Sequence, residues 1–151
     1  MRLTTFSDYS LRVLIFLAAE PGRRATIAEI ARAFDVSENH LMKVVHFLGK
    51  AGWLRNVRGT GGGLELARPP EAVRIGAVLR DCEIQLPAEC FDRGSNRCVI
   101  TPACQLRHVL KEATDTFYEV LDRYTLADIV GNRRALSKIL LRPPARATTT
   151  Q

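Results

Sequence analysis

Three residues, Asp35-Val36-Ser37, separate two stretches whose apolar positions both recur at helical spacing. In the first, Thr26 is followed by Glu29 in a capping-box pattern, and Ile27, Ile30, Ala31 and Phe34 repeat at i, i+3, i+4 and i+7. In the second, Ser37 stands at the cap position, Leu41, Val44, Val45 and Leu48 form an inward stripe, and Gly52 marks the end. Two short helices joined this tightly predict a helix-turn-helix. The next stretch, "WLRNVRGTGGGLELARPP", has alternating segments at 53–58 and 64–67 on either side of a glycine-rich tip, which predicts a β-hairpin where a wing would sit.

The flanking segments complete a mainly α chain. Thr5 followed by Asp8 reads as the cap of a first helix that ends before Pro21 and is apolar almost all round, hence buried. After Pro69-Pro70 a fourth helix is expected over about 72–83, with Ile75, Val78, Leu79 and Cys82 on one face. Thr101 is expected to cap a long helix opened by Pro102. Its stripe of Leu106, Val109, Leu110, Ala113, Phe117, Val120, Leu121 and Tyr124 runs along a rod of roughly 34 Å, more than one small domain covers, so the helix is expected to pair with its copy in a homodimer. A capped "TLADIV" segment and a shorter helix ending near Leu141 follow. The expected organisation is a winged helix-turn-helix at 1–70, a cysteine loop and dimerisation helices at 71–141, and a disordered tail at 142–151.

The 151 residues, 46% hydrophobic, supply a core without disulfides. The longest apolar run, 13–19, stops at Glu20-Pro21, short of the roughly 20 residues that span a bilayer, and no basic leader precedes it, so neither a membrane span nor a signal peptide is expected. A cytoplasmic protein is the expectation. In that reducing compartment clustered cysteines are more often metal ligands or redox groups than crosslinks. The net charge of +6 suits a polyanionic partner, and residues 1–70 carry ten Lys or Arg against six Asp or Glu, compared with twelve against ten in 71–151. No phosphate-binding glycine loop joins a strand to a helix, and no acid–base pair stands out, which argues against an enzyme.

Opposite the apolar stripe of the third helix lie Asn39, Met42, Lys43 and His46. Asn pairs bidentately with adenine, Lys reaches guanine or phosphate, and Ser37 and His40 at the helix start suit phosphate. A merely solvated polar face is the alternative, since half of any amphipathic helix is polar. The wing weighs against it: Arg58 precedes Gly59, Gly61, Gly62 and Gly63, so the backbone is free to approach closely while an arginine enters a narrow minor groove. A symmetric dimer of such heads implies double-stranded operator DNA with an inverted repeat.

Cys82 reads as a buried hydrophobic thiol. Cys90, Cys98 and Cys104 differ, because they belong to a polar loop and the start of the long helix, near Arg93, Arg97 and Arg107, where a positive helix end favours thiolates. Gaps of seven and five residues miss the tight knuckle of common zinc sites and suit an iron–sulfur cluster. Two residues offer a fourth ligand. His108 lies four positions after Cys104 and would complete a zinc or iron site on one helix face; Asp8 lies on the first helix.

"LTTFSDYSLRVLIFLA", "VSENHLMKVV", "VRGTGGGL", "CVITPACQL" and "YTLADIV" together resemble the NsrR-type nitric-oxide-sensing repressors, within the winged-helix superfamily that includes the iron–sulfur biogenesis regulator IscR. The resemblance spans roughly residues 1–141. It implies a homodimer holding an iron–sulfur cluster, of the four-iron four-sulfur type with a two-iron form as alternative, through Cys90, Cys98 and Cys104. It places the fourth ligand at the partner subunit's Asp8, ahead of His108, which falls one position later than the IscR histidine. Nitric oxide is the implied signal. The alternatives are a regulator of the IscR type reporting iron–sulfur supply or redox state, and a zinc-stabilised structural module. The gap between Cys90 and Cys98 is longer than the family pattern.

Overall fold

Val13 and Leu14 are fully buried at the centre of helix α1 (Thr5–Ala19), and the other elements surround it in the computed structural model, which describes residues 3–83 and 87–141. The tail expected at 142–151 lies outside the described residues. α1 packs against α2 (Ile27–Phe34), α3 (Glu38–Lys50), strand β2 (Gly63–Leu66), α4 (Ile75–Cys82), α6 (Leu126–Ile129) and α7 (Arg133–Leu140). A helix with neighbours on so many sides must be apolar round most of its girth, and Phe16, Leu17, Ala18 and Ala19 are buried too.

The cap of α1 is Thr4, one residue earlier than expected. The Thr4 hydroxyl accepts from the Ser7 backbone N–H at 3.2 Å. What selects Thr4 over Thr5 is Glu83, whose Oε2 accepts from the Thr4 N–H, the Thr4 hydroxyl and the buried Ser7 hydroxyl at 3.0, 3.2 and 2.7 Å. That carboxylate arrives from the end of α4, so no local pattern announces it.

The helix-turn-helix forms as predicted. Thr26 and Glu29 complete a reciprocal capping box. Asp35 turns the chain in the left-handed region at φ +52°, and the Val36 N–H closes back on the Ala31 carbonyl at 3.0 Å. Ile30, Leu41, Val44 and Leu48 are buried, which is the expected stripe pairing. Ser37 occupies the cap position of α3 but makes no side-chain cap hydrogen bond.

The hairpin pairs β1 (Leu54–Val57) with β2 antiparallel, Leu54 opposite Leu66 and Val57 opposite Gly63. Ala25 adds a bridge to Leu64 through reciprocal hydrogen bonds of 3.1 and 2.7 Å, tying the hairpin to the chain between α1 and α2. At its base Trp53 is buried, donates to Asp81 at 2.8 Å, and carries the Arg68 guanidinium over its ring at 4.9 Å.

α4 buries Ile75, Val78, Leu79 and Cys82 as expected. The long helix, α5 (Gln105–Asp122), starts later than expected. Thr101–Ala103 form a separate 3-10 turn and Cys104 stands at the helix cap in an extended conformation. Thr101 does not cap α5 because its hydroxyl turns back into the loop, donating to the Cys98 carbonyl at 2.8 Å and accepting from Asn96 at 3.1 Å. Eighteen residues make a rod of about 27 Å, shorter than expected. Its stripe divides: Leu121 packs on the core, joined there by Tyr118 from outside the expected stripe, while Leu106, Val109 and Val120 are exposed, as is Tyr124 just beyond the helix end. The α4–α5 junction is close enough that a Cβ on Gly76 would overlap Asp122, which Arg80 grips with two hydrogen bonds of 2.8 and 2.5 Å. α6 opens with a second capping box, Thr125 with Asp128. No described helix is long and apolar enough to cross a membrane.

Candidate DNA-reading surface and cysteine loop

The α3 stripe turns Leu41, Val44, Val45 and Leu48 inward, so the positions between them must face out. Ser37, Asn39, His40, Met42, Lys43 and His46 are all exposed, Met42 at 51%, a large fraction for an apolar side chain. Arg58, Gly59 and Gly61 are exposed on the hairpin tip. The tip owes its shape to glycine: Gly59 and Gly61 adopt φ of +92° and +74°, the Gly62 N–H closes the turn on the Gly59 carbonyl at 2.9 Å, and a Cβ on Gly62 would overlap the Val57 carbonyl oxygen. Helix and hairpin are held together, because α3 packs against β1 and Leu54 is buried beneath both.

Residues not singled out from the sequence surround this tip. Arg24 donates to Glu65 at 2.8 Å and to the Gly61 carbonyl at 3.1 Å, and Arg55 donates to the other Glu65 oxygen at 2.5 Å. These bonds, Arg24's first, hold the Glu65 carboxyl below the usual carboxylate range. The adjacent Arg23-Arg24 pair facing a glycine-rich hairpin was the available signal, but only the Ala25 bridge says that the two segments meet.

The cysteine loop is built from local bonds. Among the described residues of 87–104, side-chain hydrogen bonds stay within a few positions: Asp92 accepts from the Gly94 N–H and the Ser95 hydroxyl, and Asn96 accepts from the Cys98 N–H. The exception is Arg107 on α5, which donates to the Cys90 carbonyl at 3.2 Å and lies over the Phe91 ring at 5.4 Å. Cys90, Cys98 and Cys104 are free and half-buried, whereas Cys82 is fully buried and its thiol is pushed up by desolvation. Among the described residues no three His, Cys, Asp or Glu side chains converge closely enough to hold a metal ion, so the three thiols share a loop without yet sharing a centre. Their chemistry fits a soft iron–sulfur group better than a hard cation, since the donors are sulfur and the thiols are uncrosslinked.

The two candidate fourth ligands lie on different helices. His108 is exposed in the first turn of α5. Asp8 is in the first turn of α1, its carboxylate 2.8 Å from Arg12 Nη2 and partly exposed. The Arg12 guanidinium lies 5.7 Å from the ring centroids of both Tyr9 and Phe34, and Tyr9 is near His40, with ring centroids 6.4 Å apart. Asp8 is thus linked through Arg12 to the last residue of α2, next to the turn into α3.

Comparison with known proteins places this arrangement. The model of the Rrf2 family, described as iron-dependent transcriptional regulators, matches residues 3–132. The chain is 50% identical over 142 residues to the HTH-type transcriptional regulator NsrR of Bacillus subtilis (strain 168), covering 93% of this chain and 97% of that protein. It is 46% identical to the NsrR of Geobacillus kaustophilus (strain HTA426), with the same two coverages. Among solved structures it is similar to CymR, the global cysteine regulator of B. subtilis, at a TM-score of 0.71 and 26% identity over 87% of this chain and 98% of that one. It is also similar to T. potens IscR, at 0.70 and 26% over 100% and 93%. The resemblance read from the motifs therefore holds over most of the length, the architecture is that of winged-helix regulators, and the relatives are named for regulating transcription rather than for an enzymatic activity. With an exposed reading helix beside a glycine wing, and a family match over 3–132, the chain belongs to the Rrf2 family of transcriptional regulators.

Proposed function

We propose that the chain is a cytoplasmic, homodimeric repressor whose grip on an inverted-repeat operator is released by nitric oxide, sensed through an iron–sulfur cluster held by Cys90, Cys98 and Cys104 with the partner subunit's Asp8. The observation that carries the reading is three free, half-buried thiols on one loop immediately ahead of α5. The identity to NsrR-named regulators and the exposed stripe of Leu106, Val109 and Val120, with Tyr124 just past the helix end, support it. When bound, the cluster would supply iron reactive toward nitric oxide.

The chain's own residues do the rest. Residues 1–70 read DNA: Asn39, Met42 and Lys43 address base edges in the major groove, Ser37 and His40 address phosphate, and Arg58 with Gly59 and Gly61 enters the minor groove. Asp8, paired here with Arg12 on its own helix, would be the one hard donor among soft ones to the neighbouring subunit's metal group, and so the ligand most easily released. Because Arg12 also rests on Phe34, a change at Asp8 reaches the start of the reading head. A coupling of about 1–3 kcal/mol would change operator affinity some 5- to 150-fold.

The test is anaerobic operator binding before and after stoichiometric nitric oxide, with iron and sulfide assayed in the same preparations and with Asp8→Ala and His108→Ala alongside wild type. The reading expects iron and sulfide in wild type, loss of binding on nitric oxide, and a defect in Asp8→Ala. A defect confined to His108→Ala would move the fourth ligand. Colourless protein containing zinc, or a response to iron–sulfur supply but not to nitric oxide, would replace the sensing chemistry.

A further inference from the structure

Arg58 makes no side-chain hydrogen bond or ion pair among the described residues, so its aim depends on the backbone that carries it. That backbone is a run of glycines, whose conformational freedom costs more to restrain than any other residue's. Something outside the tip must hold it. The restraint visible in the structure comes from the chain between α1 and α2. Ala25 bridges Leu64, and Gly63 lies so close that a Cβ there would stand 3.0 Å from the Ala25 carbonyl oxygen. Arg24 extends this contact outward: one guanidinium spans from Glu65 on β2 to the Gly61 carbonyl at the tip, joining the flank and the apex of the hairpin.

We propose that Arg24 is a positioning residue for DNA recognition, bracing the wing tip so that Arg58 meets the minor groove in one geometry, without itself touching DNA. Two of its nitrogens are committed within the protein, and the carboxylate it holds is shared with Arg55, so an approaching phosphate meets a partly neutralised group with a negative centre. The planar fork of arginine is what spans two acceptors; a lysine ammonium is a single point of charge. The brace rests on the reading of Arg58 as the minor-groove contact.

The experiment titrates full-length wild type, Arg24→Ala, Arg24→Lys, Arg58→Ala and the Arg24→Ala/Arg58→Ala pair against a duplex that wild type selects from a random-sequence pool, at several salt concentrations. Thermal melts check folding; Arg24 is exposed and its loss should leave them nearly unchanged. Arg24→Ala is expected to weaken binding about fivefold to tenfold, and to add little once Arg58 is gone. Arg58→Ala should lower the salt slope by about one, Arg24→Ala should lower it by no more than that, and the double variant should show no further drop beyond Arg58→Ala. Arg24→Lys should fail to rescue. Additive losses, a slope in the double variant lower than in Arg58→Ala, or rescue by lysine would make Arg24 a direct phosphate contact and overturn the brace, and undiminished affinity would show that the wing needs none. If Arg58→Ala itself binds like wild type, the minor-groove reading falls and takes the brace with it, an outcome distinguished by its appearance in the single Arg58 variant.

Discussion

The wing and the cysteine loop are both polar, glycine-containing excursions from the same core, yet they are held in opposite ways. The wing, paired within itself by β1 with β2 and by Arg55 with Glu65, is also fixed from outside, by the Ala25 bridge and by the Arg24 bonds to Glu65 and the Gly61 carbonyl. The loop is fixed mostly from within, by turns around Asp92, Asn96 and Thr101, with Arg107 as its anchor on α5. A surface that must fit a rigid duplex benefits from being preformed. The signal response proposed for the loop would suit a segment from the less stable parts of a fold, where local bonds break without unfolding the rest.

The largest expected effect separates the two regions outright. Cys98→Ala should abolish iron and sulfide retention in anaerobic preparations while melting at nearly the temperature of iron-free wild type, because the thiol is half-buried and part of no core cluster. A collapse of stability instead would mean that the loop is structural. Gly62→Ala is the counterpart in the wing. Its Cβ would collide with backbone at Val57, so the tip must rebuild at a cost of about 2 kcal/mol, read as a loss of more than about tenfold in operator affinity with iron content preserved.

Gly76→Ala moves the platform on which the loop stands. Forcing α4 from Asp122 should destabilise the fold by about 1–2 kcal/mol in urea titration, and an unchanged midpoint would show that the junction gives way freely. A smaller effect comes from pH. Arg80 holds the Asp122 carboxyl, and Arg24 and Arg55 the Glu65 carboxyl, below the usual range, while the Ser95 hydroxyl lowers Asp92 in the loop. With folded values depressed, this stabilisation is complete above the ordinary carboxylate range and fades as pH falls through the lowered values. Stability should therefore be flat from neutral to mildly acidic pH and drop below that, with Asp122→Asn blunting the drop. Least of all, Asp8→Ala should cost under about 1 kcal/mol of stability, since its pair with Arg12 is partly exposed. Any large effect of that variant on iron retention then reports ligation rather than folding.

Much of the fold was legible because its signals are short-ranged. The Thr26–Glu29 and Thr125–Asp128 boxes join residues three apart, and Cys82 declared its burial by standing on the stripe of α4. The errors fell where another group, distant or in the same loop, competed for the capping hydroxyl. Thr4 displaced Thr5 because Glu83 reaches it from 79 residues away, and Thr101 gave up the cap of α5 to bond within the loop, which moved Cys104 to the helix boundary. The exposed polar face of α3 followed from periodicity, but the place of Arg24 did not, since only the Ala25 bridge says which hairpin the segment meets.

By itself the amino-acid order determined the helix periods, the tight turn at Asp35, the glycine tip and the placing of three thiols in a polar segment, all of which depend on neighbours within a turn or on backbone freedom. Only the tertiary structure decided which threonine caps α1, that Arg24 props the wing, and that Tyr118 and Leu121 pack inward while Leu106 and Val109 stay exposed. Those outcomes hinge on which side chains arrive from far along the chain, and several local arrangements of nearly equal energy wait on that arrival.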